Sequence, residues 1–330
     1  MQPANLDFKF RYVQNNQAVG LFASNGSASP TALTLDGETI PYQSILDTSN
    51  RDNRLVLALA SGTQWGPKTS KRLQKDQFLV LEISKVKADE LKQYVDHHGS
   101  AIWAEAHRQQ LASQGKENLF GTLICPQCKA TIDTSEMERS AYVYCPYCGS
   151  VVNHSLKVIS DSNVYKICDE CNLYDRVRGY TVFHFYFLLV VYGYSVKRRF
   201  VCDTCATSIA QKALLTNLIF ILGVPSAIYM WVRAQTGRDP YFQDLAKANK
   251  LARKGKYQEA DEIYDKLFSL YPDHPGILMN KGLGHLHGKD GNGGMSLLTR
   301  SLKACTNYLP TIRLIQRMQQ AASQASAKKS

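Results

Sequence analysis

The stretch Cys168–Cys205 decides how the chain must fold, and it reads CDECNLYDRVRGYTVFHFYFLLVVYGYSVKRRFVCDTC. Each end carries a Cys-x-x-Cys pair, Cys168 with Cys171 and Cys202 with Cys205. Zinc takes four thiolates in a tetrahedron, and a tight turn of this type supplies two of them. The equal spacing of the two pairs therefore predicts one metal site that closes a loop of 30 residues.

Four more cysteines lie upstream, in CPQC at 125–128 and CPYCG at 145–149, separated by 16 residues. That linker is long enough for a β-hairpin that brings the two turns together, and the arrangement resembles a zinc ribbon. We expect ribbons at 121–155 and 160–208, with two structural zinc ions held by Cys125, Cys128, Cys145, Cys148, Cys168, Cys171, Cys202 and Cys205. A rubredoxin-like iron site is the alternative, because iron also accepts four thiolates.

The loop inside the second set, at 180–196, is unusually apolar. From Val182 to Tyr192 every residue except His184 is apolar or aromatic. If the four cysteines share one ion, both pairs lie on the same side of any membrane, so the loop must go out and return. Two alternatives stay open: a hairpin or short helix in the membrane interface, or a ribbon hairpin packed on a neighbouring helix.

The layout of this segment resembles the lipopolysaccharide-induced TNF factor domain. In that family the two halves of a zinc ribbon bracket an apolar segment that enters the membrane. The resemblance rests on Cys168, Cys171, Cys202 and Cys205 and on the apolar residues between them. It implies contact with membrane lipid and metal sites that face the cytoplasm.

A second apolar run, Ala213–Val232, contains 20 residues and no charge. About 20 residues suffice for a helix to cross a bilayer, so 209–235 is predicted to be a membrane anchor. Pro225 interrupts the run, because proline removes a backbone donor and clashes with the preceding turn. A kinked span, a re-entrant helical hairpin and a buried helix of a soluble domain are the three alternatives.

Residues 1–115 have the pattern of several short strands followed by one long helix. The run ALTLDGETIPY carries a hairpin signal at Asp36-Gly37, and the helix is expected from Lys87 to about Ser113. This order resembles the pleckstrin-homology-like domains, which implies a small bent sheet that binds lipid head groups or peptides. No phosphate-binding group of Lys and Arg is evident in the strands, so a structural or protein-binding role is the alternative.

Residues 239–325 are predicted to form helical repeats, followed by a flexible tail at 326–330. The first unit resembles a tetratricopeptide repeat, with Ala248, Tyr257, Ala260, Tyr264 and Pro272 at that family's positions. A second unit uses Gly282 and Gly294 as its small residues, and a capping helix follows. The resemblance implies a module that binds a protein partner. So short an array could also pair with another chain or pack on the ribbons.

Composition limits the function classes. Hydrophobic residues make up 44% and charged residues 20%, as in a folded protein, and the length of 330 residues with the order of elements predicts a multidomain α+β fold. No secretory signal is evident, and paired cysteines in a non-exported chain favour metal over disulfides. No metalloprotease, Walker or nucleophile-elbow motif is present, which does not favour an enzyme.

The leading hypothesis is a membrane-attached zinc scaffold or adaptor. A net charge of +11 also permits a nucleic-acid-binding zinc protein, although the cations are spread over several modules.

Overall fold

The computed structural model describes residues 5–51, 53–135, 137–153, 165–188, 191–217, 224–236, 242 and 244–327. The chain is α+β, as predicted, with an N-terminal antiparallel β half-barrel and a C-terminal helical region. It divides into two units, Met1–Glu136 and Met137–Ser330.

The first unit is built on an antiparallel sheet. Its strands are β1 (Leu6–Gln14), β2 (Gln17–Ala18), β3 (Ser24–Ala28), β4 (Ala32–Leu35), β5 (Glu38–Pro41), β6 (Ile45–Arg51), β7 (Arg54–Leu59) and β8 (Phe78–Ser84). They follow the order β5-β4-β3-β1-β8-β7-β6, with β2 paired to β1. Alternate residues of β1, including Phe8 and Phe10, are buried, because successive strand residues point to opposite faces. The predicted hairpin turn at Asp36-Gly37 joins β4 to β5.

Two helices complete this sheet, α1 (Pro67–Arg72) and α2 (Ala88–Ser113). Helix α2 confirms the predicted long helix, and its buried residues Leu91 and Val95 join the core of the sheet. The Trp103 indole donates to the carbonyl of Ile45 at 3.1 Å. Helix α2 thus packs against the sheet and shares its core.

The cysteine-rich part consists of short hairpins and one long hairpin. The strands are β9 (Thr122–Ile124), β10 (Thr131–Asp133), β11 (Tyr142–Tyr144), β12 (Val151–Asn153), β13 (Tyr165–Ile167), β14 (Tyr174–Leu188) and β15 (Val191–Cys202). β14 and β15 pair in a continuous antiparallel register from Val177 with Cys202 to Leu188 with Val191. The apolar loop at 180–196 is therefore a β-hairpin and not a helix, with residues 189 and 190 outside the described residues.

The predicted membrane anchor at 209–235 is described in two parts, each of them helical. Its described residues belong to α3 (Asp203–Asn217) and α4 (Val224–Gln235), which pack against each other, and residues 218–223 lie outside the described residues. No helix in the described part of the chain is long and apolar enough to cross a membrane. The described residues therefore give no support to the apolar membrane-type segment of the predicted fold class as a spanning helix. Helix α4 has 12 residues, which corresponds to about 18 Å.

The C-terminal helices are α5 (Leu245–Arg253), α6 (Tyr257–Leu270), α7 (Pro275–His287), α8 (Gly291–Ala304) and α9 (Leu309–Ala327). Helices α5 and α6 pack together, as do α7 and α8. A Cβ atom on Gly282 would lie 3.1 Å from the carbonyl oxygen of Gly294, so these small residues permit the close approach of α7 and α8. Helix α9 continues to Ala327, two residues into the predicted tail.

Candidate metal centres

The structure brings the eight predicted cysteines together in two groups of four. Within each group the sulfur atoms lie within 4.8 Å of one another. The first group is Cys125, Cys128, Cys145 and Cys148, and the second is Cys168, Cys171, Cys202 and Cys205. The two groups suit two metal ions.

Three of the four Cys-x-x-Cys pairs share one backbone conformation. In the turn at Cys168 the amide of Cys168 donates to the Leu173 carbonyl at 2.9 Å, and the amide of Asn172 donates back to the Cys168 carbonyl at 3.0 Å. The turns at 125 and 145 repeat this pattern. Asn172 has φ of 56°, and the equivalent Lys129 and Gly149 have φ of 64° and 81°. Each turn thus needs a left-handed residue after its second cysteine, a conformation that glycine and asparagine adopt most readily.

The fourth pair differs from a ribbon turn. Cys202 ends β15, and Cys205 lies in the first turn of α3. The Cys202 amide donates to the Cys168 sulfur at 3.3 Å, and the sulfurs of Cys171 and Cys202 are 3.9 Å apart. A tetrahedron with metal–sulfur bonds of about 2.3 Å has an edge of about 3.8 Å. The second group therefore has the spacing of a four-thiolate site, built from one turn and the start of one helix.

The sulfur atoms of the second group lie within hydrogen-bonding distance of one another. Hydrogen bonds from Cys171 and then from Cys202 and Cys205 lower the pKa of Cys168. Hydrogen bonding with Cys168 raises the pKa of Cys202. A divalent metal would replace the thiol protons and hold the sulfurs as thiolates. Four protein ligands leave no open position for a catalytic water.

Asp203 fixes the first turn of α3 against β14. Its Oδ1 accepts hydrogen bonds from Arg178 Nη2 at 2.6 Å and from the Tyr180 hydroxyl at 2.8 Å, and its Oδ2 pairs with Arg176. Arg178 also donates to the carbonyl of Arg233 in α4, at 2.5 Å. Asp203 therefore positions the helix that carries Cys205. The sequence analysis missed this group. The available signal was that Arg176 and Arg178 are two residues apart, as for side chains on one face of a strand, and that Asp203 directly follows Cys202.

Helix α5 reaches the same centre through Arg253. Its Nη1 lies 3.4 Å from the sulfur of Cys205. Burial alone would lower the pKa of Arg253, but the negative charges of Cys205, Cys171 and Cys202 and the hydrogen bond to Cys205 together raise it. Four thiolates and one divalent ion together carry a net negative charge, and the adjacent guanidinium offsets part of it.

Asparagines of the helical region hold the main chain of the cysteine hairpins. Asn280 accepts from the Tyr174 amide at 2.9 Å and donates to the Tyr174 carbonyl at 2.7 Å. Asn249 donates to the same carbonyl at 3.0 Å. Asn307 forms the corresponding pair with Tyr144, at 2.9 and 2.7 Å. Asn249 and Asn280 are 31 residues apart in α5 and α7, and this repeat spacing was the signal that sequence reasoning overlooked.

The sequence matches no protein-family model and no curated protein, and the structure matches no solved structure. Both groups consist of cysteine alone, and in each group three of the four cysteines are buried.

Proposed function

We propose that this protein is a zinc-stabilised adaptor that lies on an anionic membrane surface and presents its C-terminal helices to a protein partner. The observation that carries the proposal is helix α4, which is apolar on both of its faces. One face packs on the second cysteine group, and the other is open to solvent.

The inner face of α4 belongs to the core around the metal centre. Ala227, Met230 and Ala234 are buried, and Met230 and Ala234 pack with the cysteines of the second group. The outer face consists of large side chains that are between 41% and 66% exposed: Ile228, Tyr229, Trp231 and Val232. Residues of a helix are about 100° apart, so these four form one continuous stripe. Exposed apolar stripes of this kind mark interaction surfaces.

Lipid fits this stripe better than a second protein surface does. Trp and Tyr are enriched where a protein meets the membrane–water interface, because their rings are apolar and their N–H and O–H groups are polar. Leu215 of the adjacent helix α3 is 71% exposed and would extend the stripe. The net charge of +11 favours an anionic surface. The described residues of the aromatic run, 182–188 and 191–192, belong to β14 and β15, and both helices pack against β14.

The expected membrane affinity is moderate. Ile228 is 48% exposed, so covering it should contribute about 1 kcal/mol, roughly half of the value for a fully exposed side chain. The four side chains together then contribute several kcal/mol, and each cation near the surface adds about 1 kcal/mol at low salt. Binding should therefore weaken as the salt concentration rises.

The other modules complete the proposed adaptor. We take the metal to be zinc, because zinc readily adopts tetrahedral coordination by four thiolates. Unlike iron in a rubredoxin-like site, zinc is not redox-active and requires no electron-transfer partner. The strand order of the first unit and its closing helix α2 support a pleckstrin-homology-like domain. The two packed helix pairs and α9 support a tetratricopeptide-like module for a protein partner.

Sedimentation with vesicles tests the membrane proposal. The zinc-loaded chain should pellet with vesicles that contain phosphatidylserine and less with vesicles of phosphatidylcholine alone. The double variant Ile228→Asp/Trp231→Asp should bind at least about 10-fold more weakly, because charges replace apolar contacts. Leu119→Asp/Leu270→Asp is the matched control, since both leucines lie outside α4, are 54% and 70% exposed, and the change adds the same two charges. Equal binding by the α4 double variant and this control would refute the proposal.

A further inference from the structure

A cleft of about 720 Å³ lies between the helical region and the second cysteine turn. Its floor is apolar and half-buried, formed by side chains that include Leu283, Leu309 and Leu314. Asn172, in the turn that holds Cys168 and Cys171, also lines it. The volume falls in the range of sites that enclose a small molecule, about 300–1,000 Å³.

The rim of the cleft is cationic. Arg253 of α5 and Arg313 and Arg317 of α9 line it, and all three are exposed. No described lining residue is an Asp or Glu. None of these arginines forms an ion pair with a carboxylate elsewhere in the described chain, and Arg253 points its Nη1 toward the Cys205 sulfur. Guanidinium groups bind carboxylate and phosphate through two parallel hydrogen bonds, so this rim suits an anion.

One buried polar side chain of the cleft, Asn280, is already engaged. A bound peptide needs partners for its main-chain N–H and C=O groups. Asn280 is the amide at the base of the cleft, and both ends of its side chain bind the main chain of Tyr174. The apolar floor and the cationic rim are therefore the main features that the cleft offers to a ligand.

We propose that this cleft binds a small anionic amphiphile, a molecule with a carboxylate or phosphate head and an apolar body. The head lies between Arg313, Arg317 and Arg253, and the body lies on the leucine floor. This site is separate from the exposed stripe of α4, since none of the α4 residues lines the cleft.

Calorimetric titration of the full zinc-loaded chain with decanoate, decyl phosphate and decanol tests the site. Decanoate, decyl phosphate or both should bind, and which of them binds more tightly identifies the head group. Decanol should bind at least about 10-fold more weakly, because it has no charge. Arg313→Gln and Arg317→Gln should each weaken anion binding about 10-fold, the usual effect of losing one hydrogen bond to a charged group. Arg313→Lys should lose less, since it keeps the charge.

Lys303→Gln is the matched control, because this exposed cation of α8 lies outside the cleft and its loss changes the net charge equally. It should leave binding unchanged. Ile228→Asp/Trp231→Asp should also bind the anions normally, which separates this site from membrane attachment. The proposal is overturned if decanol binds as well as the anions, if Arg313→Gln binds as the control does, or if an acidic peptide binds in an arginine-dependent way while neither anion binds. Thermal unfolding of each variant verifies that it is folded.

Discussion

Replacement of Asp203 by asparagine should destabilise the second metal centre without removing any of its ligands. The Asp203 carboxylate faces Arg176 and Arg178, and the Tyr180 hydroxyl donates to it at 2.8 Å. Asparagine keeps one acceptor oxygen, but its amide group would point toward a guanidinium. At least one arginine would then lose its counter-charge.

The expected cost follows from how deeply these charges lie. The side chains of Arg176, Asp203 and Arg178 are 9%, 17% and 20% exposed. Removing one partner of a buried ion pair costs 3–5 kcal/mol, and the partial exposure places this change at about 3 kcal/mol. Metal binding is coupled to the folding of its site, so the metal affinity should fall by up to about 100-fold.

Urea unfolding of the zinc-loaded protein and competition with a chromophoric chelator measure the two effects. Glu170→Gln is the control, because it makes the same chemical change in the same metal module. The Glu170–Arg199 pair is 48% and 35% exposed at 3.3 Å, and exposed pairs contribute about 0–1 kcal/mol. If Asp203→Asn loses no more stability and no more metal affinity than Glu170→Gln, the positioning role of Asp203 is incorrect.

Three further predictions concern the metal, the hairpin and pH. Metal analysis should find two ions per chain and one in Cys205→Ser, and a colourless protein excludes iron–thiolate sites. Asn280→Ala should lower the free energy of unfolding by about 2 kcal/mol in urea titrations, because it leaves the buried Tyr174 amide unpaired; an unchanged midpoint would contradict this. Burial lowers the pKa of His274 to about 3. The unfolded chain takes up this proton below about pH 6.5, so stability should fall by about 1.4 kcal/mol per unit as the pH drops from there. His274→Asn should unfold with a smaller pH slope, and an equal slope would count against the assignment.

The metal centres were predictable because thiolate pairs are a local signal. The spacing of Cys168 from Cys171 and of Cys202 from Cys205 is visible in the sequence, and four thiolates satisfy one tetrahedral ion. Because the two cysteine pairs were expected to share one ion, the apolar loop was expected to turn back on itself. Strands β14 and β15 show that it does so as an antiparallel pair. The long helix α2 was predictable from its apolar period.

Long-range contacts were not predictable. The uncharged run Ala213–Val232 has the composition of a membrane span, yet its described residues form α3 and α4, two helices that pack on the metal core. Composition does not distinguish burial in lipid from burial in protein. The pairing of Asn280 with Tyr174 joins residues 106 positions apart, and no single sequence displays such a pair. Cys205 looked like part of a turn, because Cys-x-x-Cys spacing also fits the first turn of a helix.

The distance along the chain between Tyr174 and Asn280 has a consequence for synthesis on the ribosome. At 5–20 residues per second, Asn280 is made roughly 5 to 20 seconds after Tyr174, and Asn249 also follows late. Cys205 is made well before either asparagine. The nascent hairpin can therefore bind its metal ion before helices α5 and α7 are synthesised. The two cysteine pairs are then already joined when those helices pack on the hairpin. In cells short of metal, the two strands would not be joined by the ion during this interval and could associate with neighbouring nascent chains.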